Sequence, residues 1–262
     1  MKRFVAACAA AALLASGCRQ PIERRPPRGR VRVAAAADLN AAMSDLVARF
    51  SASHAVDVDA SYGSSGTFYA QLLNQAPFDV FLSADLEYPR QLAARGLTLE
   101  GGEFQYAVGR LVVWVPSSSS LDVGHTGLQG LAAASIARVS IANPDHAPYG
   151  RAAVAALHSA GVYDAVRPKL VFGENVAQAL QFVQSGAADA GIVALSLALA
   201  PAARDAGRYA EIPLDQYPRI DQGGTILKWA ADVDAARALR AYVLSADGRA
   251  VLRQYGFFLP NE

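Results

Sequence analysis

Cysteine is almost missing from this chain of 262 residues; the two present, Cys8 and Cys18, both fall in the first eighteen positions. A body without cysteine has no disulfide, no redox pair and no thiolate metal site. Histidine is sparse as well. His54, His125, His146 and His158 are scattered, with no His-x-x-x-His or His-Glu-x-x-His pair, so the spacing of a metallohydrolase is absent. No P-loop and no Gly-x-Gly-x-x-Gly turn occurs, which removes the usual phosphate and dinucleotide signatures. Charge is low at 18% and nearly balanced at +1, so nothing marks a nucleic-acid partner. After the N-terminal segment, no apolar run is long and charge-free enough for a membrane-spanning helix.

What is there in quantity is apolar surface. The hydrophobic fraction of 53% supports a packed core in one large domain or two lobes. The N-terminus is set apart from that core. Lys2 and Arg3 precede an apolar run, Phe4 to Ala15, the pattern of a secretory signal and too short to span a bilayer. The run ends in Leu14-Ala15-Ser16-Gly17-Cys18, which resembles the bacterial lipobox and implies a signal of residues 1–17 and a lipid on Cys18. An ordinary secretory signal with a chance cysteine is the plainer alternative.

Charge read by segment says more than the total. Setting aside Lys2 and Arg3 takes +1 to −1, and Arg19 to Arg32 holds six Arg and one Glu, or +5, so the chain from Val33 onward carries −6. Pro21, Pro26, Pro27 and Gly29 mark residues 18–30 as an extended basic tether suited to anionic lipid headgroups. In an acidic body, any anion site has to work through local dipoles.

From Arg30 onward, short apolar strands alternate with amphipathic helices, the pattern of an α/β architecture. The first block predicts strands over 31–36, 56–61 and 79–83. Helices follow, with Met43, Leu46, Val47 and Phe50 on one face, then over 67–75 and 86–95. Leu111 to Val115 reads as a passage to a second block. That block has strands over 138–142, 169–172 and 190–193, and helices over 151–159, 176–184 and 195–203. Thr225 to Lys228 is read as the return strand, with closing helices over 233–244 and 247–255. The expected division is therefore 31–111 plus 224–262 as lobe I and 112–223 as lobe II, with a cleft between them.

Four strand-to-helix turns of one kind then face the expected cleft: Ala36-Ala37-Asp38-Leu39, Gly63-Ser64-Ser65-Gly66, Pro148-Tyr149-Gly150 and Glu174-Asn175-Val176. Such turns leave backbone N–H groups free at the positive end of a helix dipole, and hydroxyls add donors without charge. Converging from two lobes, they can hold a small oxyanion with no cationic partner. Taken singly, each is also an ordinary capped turn.

Four stretches resemble, in order, the motifs of the molybdate-binding proteins that serve ABC importers. They are Ala34-Ala35-Ala36-Ala37-Asp38-Leu39, Gly63-Ser64-Ser65-Gly66-Thr67, Ala76 through Asp85, and Asn143-Pro144-Asp145-His146-Ala147-Pro148-Tyr149-Gly150. The likeness runs from about Val31 to Pro260. It implies a periplasmic-binding-protein type II fold that closes over molybdate or tungstate, with an ABC permease as partner, no cofactor, no catalytic residue and a monomeric state. Carried over by position, the second-turn serine falls at Ser64 or Ser65, the third-turn amide at Tyr149 and the fourth-turn amide at Val176. Two positions depart: the first-turn serine of many relatives is Asp38 here, and the tyrosine some relatives place after the Gly191-Ile192-Val193 strand would fall at Ala194.

Asp38 has two readings. As an N-cap, the preferred one, its carboxylate points back to the N–H of Asn40 or Ala41. If it faces the pocket instead, it repels a dianion unless a proton lies between them, which favours hydrogen phosphate or another ligand able to donate. Tyr62 or Tyr149 could supply the missing phenol. A serine hydrolase is the reading from another class: Gly63-Ser64-Ser65-Gly66 comes close to a Gly-x-Ser-x-Gly elbow, but Thr67 stands where the last glycine belongs.

Overall fold

The computed structural model describes residues 28–262. The expected signal segment, Cys18 and the tether as far as Pro27 lie outside the described residues.

The first lobe opens with β1 (Gly29–Ala36), a 3-10 turn (Ala37–Leu39) and α1 (Asn40–Ser53), then β2 (Val56–Gly63), α2 (Ser65–Leu72), β3 (Val80–Ser83), α3 (Glu87–Ala94) and β4 (Phe104–Gly109). The second lobe holds β5 (Leu111–Pro116), α4 (Val123–Thr126), β6 (Val139–Ala142), α5 (Pro148–Ser159), α6 (Tyr163–Val166), β7 (Leu170–Gly173) and α7 (Val176–Gln184). It continues through β8 (Ala190–Ala194), α8 (Leu195–Ala198), α9 (Pro201–Arg204) and β9 (Gly207–Glu211). The chain then returns through β10 (Ile220–Ile226), α10 (Val233–Leu244) and α11 (Ala246–Gln254).

Two five-stranded sheets result, ordered β2-β1-β3-β10-β4 and β7-β6-β8-β5-β9. In each, three strands are parallel and two join antiparallel. The two α/β lobes expected from the alternation are thus present. Period-2 alternation splits the apolar residues of the first lobe between two faces. Val31, Val33 and Ala35 pack with α1, α10 and α11, while Ala34 and Phe81 pack with Phe68, Leu72 and Leu92. The core of the second lobe forms around Trp114, Val139, Ile141 and Val193, and takes in Ala36, Ala37 and Ala84 from the first. The lobes therefore meet in a closed arrangement.

Several boundaries move from the sequence expectation. Leu111 pairs with Ala194, so it belongs to the second sheet, and the first crossing is Arg110. The return strand starts at Ile220 rather than Thr225, because Ile220 already pairs with Gly109 of β4. Gly223 and Gly224 hid that strand. They stand where Leu86 and Phe104 press on the backbone, and a Cβ on Gly224 would lie 2.6 Å from the Phe104 ring. The single helix expected over 195–203 is two short ones, because Pro201 has no N–H to continue the ladder and instead opens α9. Strands β4 and β9 went unrecognised.

Candidate functional site

The parallel strands of both sheets end toward one another, and the turns that follow them line a cavity of about 10 Å3. Asp38, Ser64, Ser65, Tyr149 and Val176 all line it, with Ala36, Ala37, Gly63, Ala84, Ala147, Pro148 and Asn175. Such a volume admits no organic substrate. No Lys, Arg or His lines it among the described residues.

The donors come from helix starts. Asn175 caps α7, its side-chain oxygen accepting from the N–H of Ala177 and of Gln178, each at 3.0 Å. That leaves the Val176 N–H at the tip, pointing out of the helix. Pro148 opens α5 with no donor of its own, so the Tyr149 N–H is the first that helix offers. Ser65 begins α2, and its Oγ accepts from the Ala84 N–H at 2.9 Å, which leaves the hydroxyl proton available to a guest.

Asp38 behaves differently from the cap expected of it. It sits inside the 3-10 turn, and neither that turn nor α1 has a side-chain cap. Instead the carboxylate, 0% exposed, turns to the lobe interface. Its Oδ2 accepts from the Tyr149 hydroxyl at 3.0 Å and from the Gln222 amide. Its Oδ1 is buried without a partner among the described residues. The cap is outcompeted because two buried neutral donors from α5 and β10 reach the carboxylate, and a buried charge needs them more than the helix needs its first N–H. Burial pushes the Asp38 carboxyl up to about 6, with Gln222, Tyr149 and the backbone N–H groups of Asp38 and Leu39 pulling the other way. Burial and the neighbouring Asp38 charge push the Tyr149 phenol well up, so it stays protonated and donates.

The chain matches the family of bacterial extracellular solute-binding proteins over residues 31–258. It is 40% identical over 231 residues to the molybdate-binding protein ModA of Azotobacter vinelandii, covering 87% of this chain and 90% of that one. It is 34% identical over 229 residues to ModA of Rhodobacter capsulatus, with 87% and 88% covered. The solved structure of the Azotobacter vinelandii periplasmic molybdate-binding protein superposes with a TM-score of 0.80 at 33% identity, over 88% of this chain and 99% of that one. The chain belongs to the bacterial extracellular solute-binding proteins. The family resemblance carried by its turn motifs is thereby borne out.

In this solute-binding protein Ser64 and Ser65 have separate tasks. The Ser64 hydroxyl crosses the cleft and donates to the His146 carbonyl at 2.7 Å, and the Gly66 N–H donates to the same oxygen at 3.0 Å. The His146 ring lies against Ser64 too, Nδ1 to Oγ at 2.9 Å, with Nε2 3.6 Å from the Glu174 carboxylate. Serine, histidine and glutamate in a row have the residue types of a hydrolytic triad. The His146 carbonyl can only accept, so the Ser64 hydroxyl has a donor's task across the cleft, and both contacts tie the lobes together. Arg151 adds a rim contact, donating to Asp85 at 2.6 Å and to the Tyr88 hydroxyl at 3.3 Å.

Of the two phenols considered as replacements for the one absent at Ala194, Tyr149 lines the cavity but its hydroxyl is taken up by Asp38 and Gln222, while Tyr62 packs against the first-lobe core. Residues that sequence reasoning missed complete the interface. Gln222 sits at a β-bulge in β10 and is fully buried; its carbonyl oxygen accepts from Tyr106 at 2.9 Å. Ser196, in the first turn of α8, donates to the Asp38 backbone oxygen at 2.7 Å. Gly109 leaves room for the Tyr149 phenol, since a Cβ there would collide with its hydroxyl and lie 2.8 Å from the Gln222 amide. The one legible signal was a glutamine beside two glycines, a polar residue in a stretch with no room for solvent.

Proposed function

We propose that this protein captures molybdate or tungstate outside the cytoplasmic membrane and delivers it to the permease of an ABC importer. The observation that carries the reading is a small cavity between the lobes whose donors are N–H and O–H groups from helix starts of both, with no cation lining it among the described residues. The close relatives that bind molybdate support the ligand class. A tetrahedral dianion accepts from many directions, and donors from two lobes reach it together only when the lobes close, so capture and closure are one equilibrium. Selectivity over sulfate comes mainly from cavity size.

The protein works as a monomer, without a cofactor and without chemistry of its own. A lipid on Cys18 holds it to the membrane, and the basic tether lies against anionic headgroups. Cys18→Ala should release it from membranes; continued partitioning would remove the anchor. Isothermal titration with molybdate, tungstate, sulfate and phosphate tests the ligand. The reading expects one tight site for molybdate and tungstate and weak heats for the other two, and tighter phosphate binding would replace it with a hydrogen-phosphate carrier.

A further inference from the structure

A carboxylate at the wall of an anion site calls for a reason. Among the described residues Asp38 is the one acidic residue lining the cavity, and its two oxygens are unequal: Oδ2 accepts from Tyr149 and Gln222, while Oδ1 is buried with no hydrogen-bond partner. Every element packed around it supplies neutral groups. These are Tyr149 from α5, Gln222 from β10, Tyr106 behind it from β4, the Ser196 hydroxyl from α8, and Asn175 and Val176 from α7. The nearest imidazole, His146, contacts Ser64 instead. With no cation lining the site among the described residues, a dianion and an ionised Asp38 would repel each other in a medium of low dielectric.

We propose, building on the oxyanion-carrier reading, that Asp38 takes up a proton on Oδ1 as the lobes close and donates it to the bound oxyanion. One solvent proton is consumed for each dianion captured: carboxylate plus proton becomes carboxyl, and its O–H becomes a hydrogen bond to a ligand oxygen. Oδ2 is already occupied as an acceptor, so the proton belongs on the oxygen that lacks a partner. The pocket thereby converts its only repulsive group into a donor. It also favours an oxyanion basic enough to accept that bond, which makes Asp38 a specificity-determining residue. Burial alone already moves Asp38 toward neutrality, and the incoming dianion acts in the same direction.

The linkage has a definite sign. A group that is ionised in the free protein and protonated in the complex makes affinity fall as pH rises, with a limiting slope of about tenfold per pH unit. Titration of the full chain with molybdate at pH 7, in two buffers of different ionisation enthalpy, measures the protons taken up. The expected result is more than roughly half a proton per molybdate, with affinity declining from pH 6 to pH 9. Asp38→Asn presents an N–H at the same place without needing a proton. It should bind with no proton uptake and a flat pH profile, and more tightly than the wild type at pH 9. Molybdate binding without proton uptake in the wild type would overturn the proposal and leave the carrier reading standing. Unchanged uptake in Asp38→Asn would also overturn it, by assigning the proton elsewhere. Absence of binding by any of the four oxyanions would overturn the carrier reading and this proposal together.

Discussion

The Tyr149 hydroxyl of one lobe donates to Asp38 Oδ2 of the other at 3.0 Å, with both side chains buried. This bond exists only when the lobes are closed, because its partners stand on α5 and on the turn after β1. Tyr149→Phe keeps the ring and removes the donor, leaving Gln222 as the remaining side chain on that oxygen. Loss of one buried bond to a carboxylate costs about 1–3 kcal/mol. Oxyanion affinity by titration should weaken accordingly, and an unchanged value would show that the bond plays no part in closure.

Gly66 tests closure more sharply. A Cβ there would collide with the His146 carbonyl oxygen and lie 2.9 Å from the Tyr88 hydroxyl. Since Gly66 is in α2 and Ala is the better helix former, Gly66→Ala asks only a small shift of the Tyr88 hydroxyl within the first lobe while holding the lobes apart at the His146 carbonyl. Affinity should drop by roughly tenfold or more, a cost of about 1.4 kcal/mol, and the ligand-free melting temperature should stay near that of the wild type. Full affinity would mean that the lobes do not meet at this point when loaded.

Ser64 and Ser65 should separate on mutation. Ser65→Ala removes the hydroxyl proton left for the guest and should weaken binding by about 1.5–3 kcal/mol, the range for a hydrogen bond to a charged group. Ser64→Ala removes a neutral bond to the His146 carbonyl and should cost about 0.5–1.5 kcal/mol. The reverse order in titration would exchange their roles.

Asp79 concerns stability rather than binding. It is 1% exposed and accepts from the Arg32 backbone N–H at 2.7 Å, the Ala231 N–H at 2.9 Å and the Arg32 guanidinium at 3.2 Å. Burial pushes this carboxyl up, but the Arg32 guanidinium and the two backbone donors outweigh it and leave it below the usual carboxylate range. A group depressed in the folded state stabilises above its unfolded value, near 4, and that contribution is lost as pH falls through the lower folded value. Urea melts from pH 7 down to pH 3 should show this loss in the wild type and a smaller one in Asp79→Asn. Equal acid sensitivity would place the effect elsewhere.

How much of this was legible before the structure depended on what kind of signal each residue carried. Strands such as Val80 to Ser83 show as short apolar runs and helix faces such as Met43, Leu46 and Phe50 follow a period of 3.6, and the structure keeps them. Each of the four turns could be read locally because strand, small residues and helix are adjacent in the chain. Asp38 could not be placed that way. Whether it caps or crosses is decided by Tyr149 and Gln222, which are 111 and 184 residues away. The return strand was obscured for a similar reason: Gly223 and Gly224 weaken the local pattern in order to fit side chains of other elements.

The most direct measurement is anomalous diffraction at the molybdenum edge from crystals grown with molybdate. The account predicts one strong peak between the lobes, with ligand oxygens within hydrogen-bond distance of Ser65 Oγ, the Tyr149 and Val176 N–H groups and Asp38 Oδ1. A peak outside that cavity, or none in crystals whose lobes are closed, would contradict it.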